Sequence, residues 1–342
     1  MRPIVPLPPA RPSRLHDRRI PMLALACDIG GTNTRLGLVR DGVLLSESTS
    51  SYANDDFEDF YAVAAAFLRE RGESRVDRVC IALAAVATAE GATLTNRDWT
   101  IRRDRVALTS GADRVDFIND FEALGYAMGQ VERLETQCLT PGRASGQPGP
   151  RLVLGAGTGF NASAWCPSRF GGAPRVVAAE CGHMTLPLAG EVEFSLQGAL
   201  SVGRGRASVE RALSGRGLFE IYQWQCAQAR RGPLATTAVE VSRLAVAKAD
   251  RDCEEAGHVF MRLLGRVCGD LALAYLPFSG VYLSGGVSRA FAGPLSQDQT
   301  FLEAFLAKGR QADFMESFPV HLLLDDRTAL QGCAEWLRLS AV

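Results

Sequence analysis

Three short apolar runs in this chain each end in a glycine-bearing turn: LALACDI leads to Gly30-Gly31-Thr32, RLVLGA to Gly157-Thr158-Gly159, and GVYLS to Gly285-Gly286. Runs of this length read as buried strands. Glycine at the end of a strand permits positive φ and lets a ligand approach the backbone closely. Successive amides in such a turn form a concavity suited to phosphate oxygens. One turn of this kind constrains little, because loops after strands use glycine anyway. Three after three strands point to a layered α/β chain that holds phosphate at its strand ends.

The pattern between the turns supports this reading. LGLV (Leu36 to Val39) and VLLSES (Val43 to Ser48) flank Asp41-Gly42, and two short strands joined by Asp-Gly form a hairpin with a primed turn. Strand, glycine turn and hairpin in succession differ from the strand–turn–helix context of a dinucleotide fingerprint or a Walker loop. From Asp55 to Arg71 the period becomes helical, with Phe57, Phe60, Ala64, Phe67 and Leu68 near one face. Val79 to Ala87 and Val115 to Asp120 read as further strands, the second running into helix from Glu122.

A polar, glycine-rich connection ends at Pro148 to Pro150, after which Arg151 to Trp165 repeats the order strand, glycine turn, strand. DIGGTN and GAGTGFN thus suggest a duplicated core with two facing phosphate loops. Helical patterns follow over residues 205–213, 217–230 and 236–276. The last requires a break, because it exceeds the usual length of a globular helix. Residues 280–291 read as strand, glycine turn and helix, 320–326 as a final strand, and 328–340 as a closing helix.

A chain of 342 residues, 47% of them hydrophobic, has room for two domains with substantial cores. Its 37 basic and 38 acidic residues give a net charge of -1, so no overall field selects nucleic acid or an anionic membrane as partner. The nine cysteines are odd in number and no two are close-spaced, which favours reduced thiols in a cytosolic protein over a disulfide scaffold or a zinc cluster. Residues 1–21 are rich in proline and arginine and read as a disordered basic extension, with Met22 as an alternative start. No run of 18 apolar residues occurs.

Several polar residues sit where chemistry would need them. Asp28 precedes the first glycine pair at the end of an apolar strand. An unpaired carboxylate is costly there, so it wants a cation, a donor or solvent; magnesium held through water suits it, and structuring of the turn is the alternative. Asp120, at a strand end, can accept the proton of an attacking hydroxyl, and Asn119 offers a donor and an acceptor to neighbouring hydroxyls. Glu180 and His183 are three apart in AECGH; the spacing also suits a metal, but the intervening glycine and missing third ligand favour a polyol clamp. By local pattern alone Glu210 reads as a solvated helix residue.

The stretches CDIGGTNTRLGL, TNRDW, FINDFEALGYA, GAGTGFNAS, ECGHM, VERALSGRGL and GVYLSGGVSRAF make the chain resemble the bacterial glucokinases, within the actin, Hsp70 and hexokinase-like superfamily. They stand in the family's order and cover nearly everything from Leu23 onward. The cysteine-rich zinc motif of the neighbouring repressor/open-reading-frame/kinase group is absent. The resemblance implies a two-domain, ribonuclease H-like α/β fold with a cleft: residues 22–130 plus 324–342 as the smaller domain and 131–323 as the larger. It also implies ATP and Mg2+, a hexose substrate, a cytoplasmic enzyme of glycolysis and a homodimer.

Position by position, the resemblance makes Asp120 the base for the 6-hydroxyl. Asn96, Asn119, Asp120, Glu180, His183 and Glu210 would bind the sugar. Cys27, Asp28, Ile29, Gly30, Gly31 and Thr32 would form the first phosphate loop, and Gly157, Thr158 and Gly159 the second. Gly285 and Gly286 would lie against the adenosine, and Asp28 would orient magnesium or its waters. Two positions depart from the family pattern: Val86 stands where proline is common, and Asn161 where glycine is usual. Asparagine tolerates the left-handed geometry that glycine would supply, and its amide is placed to crowd or bond a ligand. Phosphorylation of glucose is the reaction implied; a kinase for another hexose or amino sugar, or a non-catalytic sugar-binding regulator, are the alternatives.

Overall fold

The computed structural model describes residues 22–85, 88–94, 97–143, 148–168 and 172–340. Asn96, Val86 and the extension over residues 1–21, all singled out above, lie outside the described residues. The first half contains β1 (Leu23–Ile29), β2 (Asn33–Arg40), β3 (Val43–Leu44), β4 (Ser50–Ala53), α1 (Phe60–Glu70) and β5 (Arg78–Leu83). A small ribbon of β6 (Gly91–Thr93) and β7 (Thr100–Arg102) follows, then α2 (Arg103–Ser110), β8 (Arg114–Asn119) and α3 (Asp120–Ala127). The sheet order is β3-β2-β1-β5-β8, with β4 also on β2. β1 pairs antiparallel with β2 and parallel with β5, so it is central and reads as a continuous apolar run. Asp41 (φ 51°) and Gly42 (φ 78°) form the primed hairpin turn.

The second half adds β9 (Thr136–Thr140), β10 (Arg151–Ala156), β11 (Phe160–Cys166) and β12 (Arg175–Ala178). Helices α4 (Gly190–Ser201), α5 (Val209–Ala212), α6 (Gly215–Gln228), α7 (Ala238–Val246) and α8 (Arg251–Tyr275) come next. The chain then runs through β13 (Val281–Ser284), α9 (Gly286–Ala290), α10 (Ala292–Gln297), α11 (Thr300–Leu306), α12 (Ala312–Met315), β14 (Val320–Leu323) and α13 (Thr328–Leu339). This sheet is ordered β12-β11-β10-β13-β14-β9. Both sheets therefore repeat one plan, an antiparallel meander followed by two parallel strands, and β9 is an antiparallel addition at the second sheet's edge.

Some boundaries differ from the sequence pattern. The strand read over Val79 to Ala87 ends at Leu83, because the backbone bends at Ala84 and Ala85. The helix read over 205–213 contracts to α5, since Gly205 takes φ 73° and ends regular backbone before it. The break within 236–276 falls at residues 247–250: Lys248 takes φ 51°, and the Asp250 carboxylate caps α8 by accepting from the Cys253 N–H at 2.8 Å.

The helices that follow β8 and β14 exchange partners. α3, continuous with the first sheet, packs on β10, β11 and β12 of the second, while α13 packs on β1 and β5 of the first. Ala24, Ala26, Cys80 and Ala82 line the first sheet's face under Leu330, Cys333 and Leu337 of α13. The two helices also touch one another, and a Cβ on Gly332 would overlap the Ala123 carbonyl. Gly332→Ala should force the helices apart and cost about 3 kcal/mol or more. Gly198 in α4 has open space and a helical backbone, so Gly198→Ala should stabilise by up to about 1 kcal/mol. Urea midpoints of the two variants measure both, and equal midpoints would contradict the tight crossing.

Candidate active site

The first glycine turn is shaped from behind by a residue that the sequence pattern does not single out. Asn54 is fully buried, and its amide donates to the carbonyls of Gly30 (2.9 Å) and Gly31 (3.2 Å). Its own N–H donates to the Thr32 carbonyl at 2.8 Å, and the Thr34 hydroxyl donates to its Oδ1 at 2.7 Å. With the carbonyls drawn to Asn54, the amides of Gly31 and Thr32 donate to no acceptor among the described residues, and both residues are exposed. That is the arrangement an oxyanion needs.

The second and third turns adjoin, because β10 and β13 are parallel neighbours with Gly155 opposite Ser284. Gly285 takes φ 95°, and a side chain there would overlap the Ala156 carbonyl; only glycine fits. Gly286 has nothing within 4 Å of a built Cβ, so the backbone is open to a ligand. The Gly157 carbonyl accepts from the Gly215 N–H at 2.8 Å, which brings the start of α6, capped by Ser214, onto the second turn.

Asp28 lies at the junction of the two sheets. Its side chain is 15% exposed and faces Arg35, which donates to it at 3.5 Å and to Asp326 at 3.3 Å. Burial pushes the Asp28 carboxyl up to about 6; Arg35 opposes this, and the charges of Asp120 and Asp326 add to it. A carboxylate so poorly held suits a cation. Among the described residues no three acidic, histidine or cysteine side chains converge to chelate a metal alone. Magnesium here fits only as an ion completed by phosphate and water, which is its usual preference.

Asp120 opens α3 at the end of β8. Asn119 caps that helix, its Oδ1 accepting from the N–H groups of Phe121 (2.9 Å) and Glu122 (3.3 Å), while the Glu122 carboxylate accepts from the Asn119 N–H. Phe121 N–H also donates to Asp120 Oδ1 at 2.9 Å. The Asp120 carboxyl is raised chiefly by burial, lowered by the Phe121 N–H, and raised again by Glu180. Asp120 therefore senses both Asp28 and Glu180, one from each sheet.

Glu180 precedes and His183 closes a single 3-10 turn over Cys181–His183, and both are exposed. Glu210 is not the solvated helix residue of its local pattern. It is half-buried, and its carboxylate accepts from the Phe160 N–H at 3.2 Å. A Cβ on Gly159 would come 2.6 Å from its Oε2, so the second glycine turn leaves room for this acid. Asn161 likewise departs from expectation. It is strand backbone in β11, outside the left-handed region, and its amide donates to Glu180 at 3.2 Å.

The family model described as Glucokinase matches residues 25–340. The chain is 34% identical over 325 residues to the Marinobacter nauticus glucokinase, covering 93% of this chain and 98% of that protein. The solved glucokinase of an Antarctic psychrotroph superposes with a TM-score of 0.78 at 26% identity, covering 92% of this chain and 98% of that one. The Balamuthia mandrillaris glucokinase, solved with glucose, gives 0.77 at 20% identity, with 94% and 95% covered. The chain therefore belongs to the glucokinase family, the ATP-dependent kinases of glucose.

Proposed function

We propose that this protein transfers the γ-phosphoryl group of ATP to the 6-hydroxyl of D-glucose with Asp120 as the base. The observation that carries the reading is the position of Asp120: a raised carboxyl at a strand end, between Asp28 on the phosphate side and Glu180 on the other. Asp120 accepts the hydroxyl proton as the new O–P bond forms, and the Phe121 N–H holds its carboxylate in place. Asn96, Asn119, Glu180, His183 and Glu210 bind the sugar. Cys27 to Thr32 and Gly157 to Gly159 hold the phosphates through backbone amides, and Gly285-Gly286 lies under the adenosine. Asp28 orients the waters of a magnesium ion, which supplies charge neutralisation at the phosphates.

Residues 22–130 with 324–342 form one lobe and 131–323 the other. Their closure excludes water, whose reaction with ATP would waste the nucleotide. Family membership also supports a cytoplasmic enzyme of glycolysis acting as a homodimer; no described helix is long and apolar enough to cross a membrane.

Asp120→Ala should lower kcat by about 10²–10⁴-fold while leaving nucleotide affinity nearly unchanged. A coupled ADP-release assay across a panel of sugars and phosphoryl donors measures this, and near-normal turnover of the variant removes the base. Asp28 yields a second expectation. Its carboxyl is held near 6 against 3.8 ordinarily, so between these values the native state keeps a proton that the unfolded chain has lost. Stability therefore falls as pH rises through that window, by roughly 3 kcal/mol at most. Asp28→Asn should be more stable than the wild type at pH 7.5 without nucleotide, lose most of that advantage at pH 4, and turn over far more slowly. Thermal melts at the two pH values test the sign.

A further inference from the structure

Asn161 is 7% exposed and stands opposite Gly155 in the β10–β11 ladder. Cross-strand partners project from one face of a sheet, and here that face carries α3. The ring of Phe121, the residue after Asp120, lies 2.7 Å from where a Gly155 Cβ would be, and a Cβ on Gly125 of α3 would overlap Ser163, two residues beyond Asn161. Asn161 thus stands between the helix that begins at Asp120 and the turn that carries Glu180.

The orientation of its amide is settled by its neighbours. Oδ1 accepts from the Cys181 N–H at 2.9 Å and from the Ala162 N–H at 2.9 Å. Two backbone donors on one atom identify it as the oxygen. The other atom is therefore Nδ2, and it donates to Glu180 Oε2 at 3.2 Å.

We propose that Asn161 is a positioning residue for the acceptor sugar. It fixes the Glu180 carboxylate with Oε2 occupied by an N–H, leaving Oε1 to accept from one sugar hydroxyl. The inference rests on the reading of the Asp120–Glu180 cleft as the sugar site. A carboxylate held in advance loses less freedom when the sugar binds. It also selects for a donor at one position, since an analogue without that hydroxyl leaves an oriented acceptor unpaired. No glycine turn takes a hydrogen bond from the Asn161 side chain among the described residues, so the effect falls on sugar affinity rather than on nucleotide affinity.

Asn161→Asp isolates the contact, because an aspartate keeps the acceptor for the Cys181 N–H while replacing the donor to Glu180 by a second carboxylate. Glucose calorimetry and steady-state kinetics on wild type, Asn161→Asp, Glu180→Gln and the double variant form the test. Asn161→Asp should raise the glucose Kd and KM by about tenfold or more, with ATP KM within about twofold and kcat changing far less than KM. In the double variant the amide introduced at position 180 donates to the carboxylate introduced at position 161, so its loss should fall well short of the product of the two single losses. A wild-type glucose KM in folded Asn161→Asp overturns the proposal, as does a double variant whose loss equals that product. A wild type that binds no glucose overturns the sugar-site reading and this inference together. Glucose binding with independent single losses overturns only the role of Asn161.

Discussion

The exchange of α3 and α13 between the sheets is the contact on which the rest of the molecule depends. Each sheet hands its chain to a helix that packs on the other sheet, and the helices meet where Gly332 leaves no room for a side chain beside the Ala123 carbonyl. The lobes are therefore joined by packed backbone as well as by chain connections. The crossing also carries the end of β8 to the second sheet. Phe121 fills the space that Gly155 leaves, and Asp120, one residue before it, comes under the influence of Glu180.

The charges at the junction are held at some cost to stability. Asp28 has Arg35 beside it, yet burial outweighs that cation. Arg35 is divided between Asp28, in β1, and Asp326, which follows β14, so it serves two carboxylates at 3.5 and 3.3 Å rather than one closely. Arg289 of α9 lies in the same field, its own charge disfavoured by burial and favoured by Asp326 and Asp325. Carboxylates that folding alone would keep neutral or fully paired are left in want of positive charge. Perturbed groups of this kind gather at functional sites.

Much of this was legible in the sequence. The glycine turns, the Asp-Gly hairpin and the strand ends at Asp28 and Asp120 are local signals, written in residue type and period over a few positions. The repeat of DIGGTN in GAGTGFN anticipated two sheets of one plan. What stayed hidden depends on contacts distant in sequence. Asn54 reads as an ordinary loop asparagine in YANDD, because its partners Gly30, Gly31 and Thr32 lie more than twenty positions away. Glu210 has the pattern of a solvated helix, and only the return of the chain to Phe160 gives it a donor. Asn161 invites a reading as a turn residue, yet its ladder with Gly155 makes it strand. Arg35 sits inside a recognisable motif, but its second partner, Asp326, is 291 residues on.

The two sides of the cleft are built from different materials. The side proposed for the phosphates is largely backbone: amides of glycine turns whose shape comes from buried groups such as Asn54 and from the positive φ of Gly285. The other side is carboxylate, and its two second-lobe acids are both moored to the start of β11. Glu210 accepts from the Phe160 N–H, and Glu180 from the Asn161 amide. Those moorings begin one residue after the Gly157–Gly159 turn. Five consecutive residues, 157–161, thus reach from the second glycine turn to both acids.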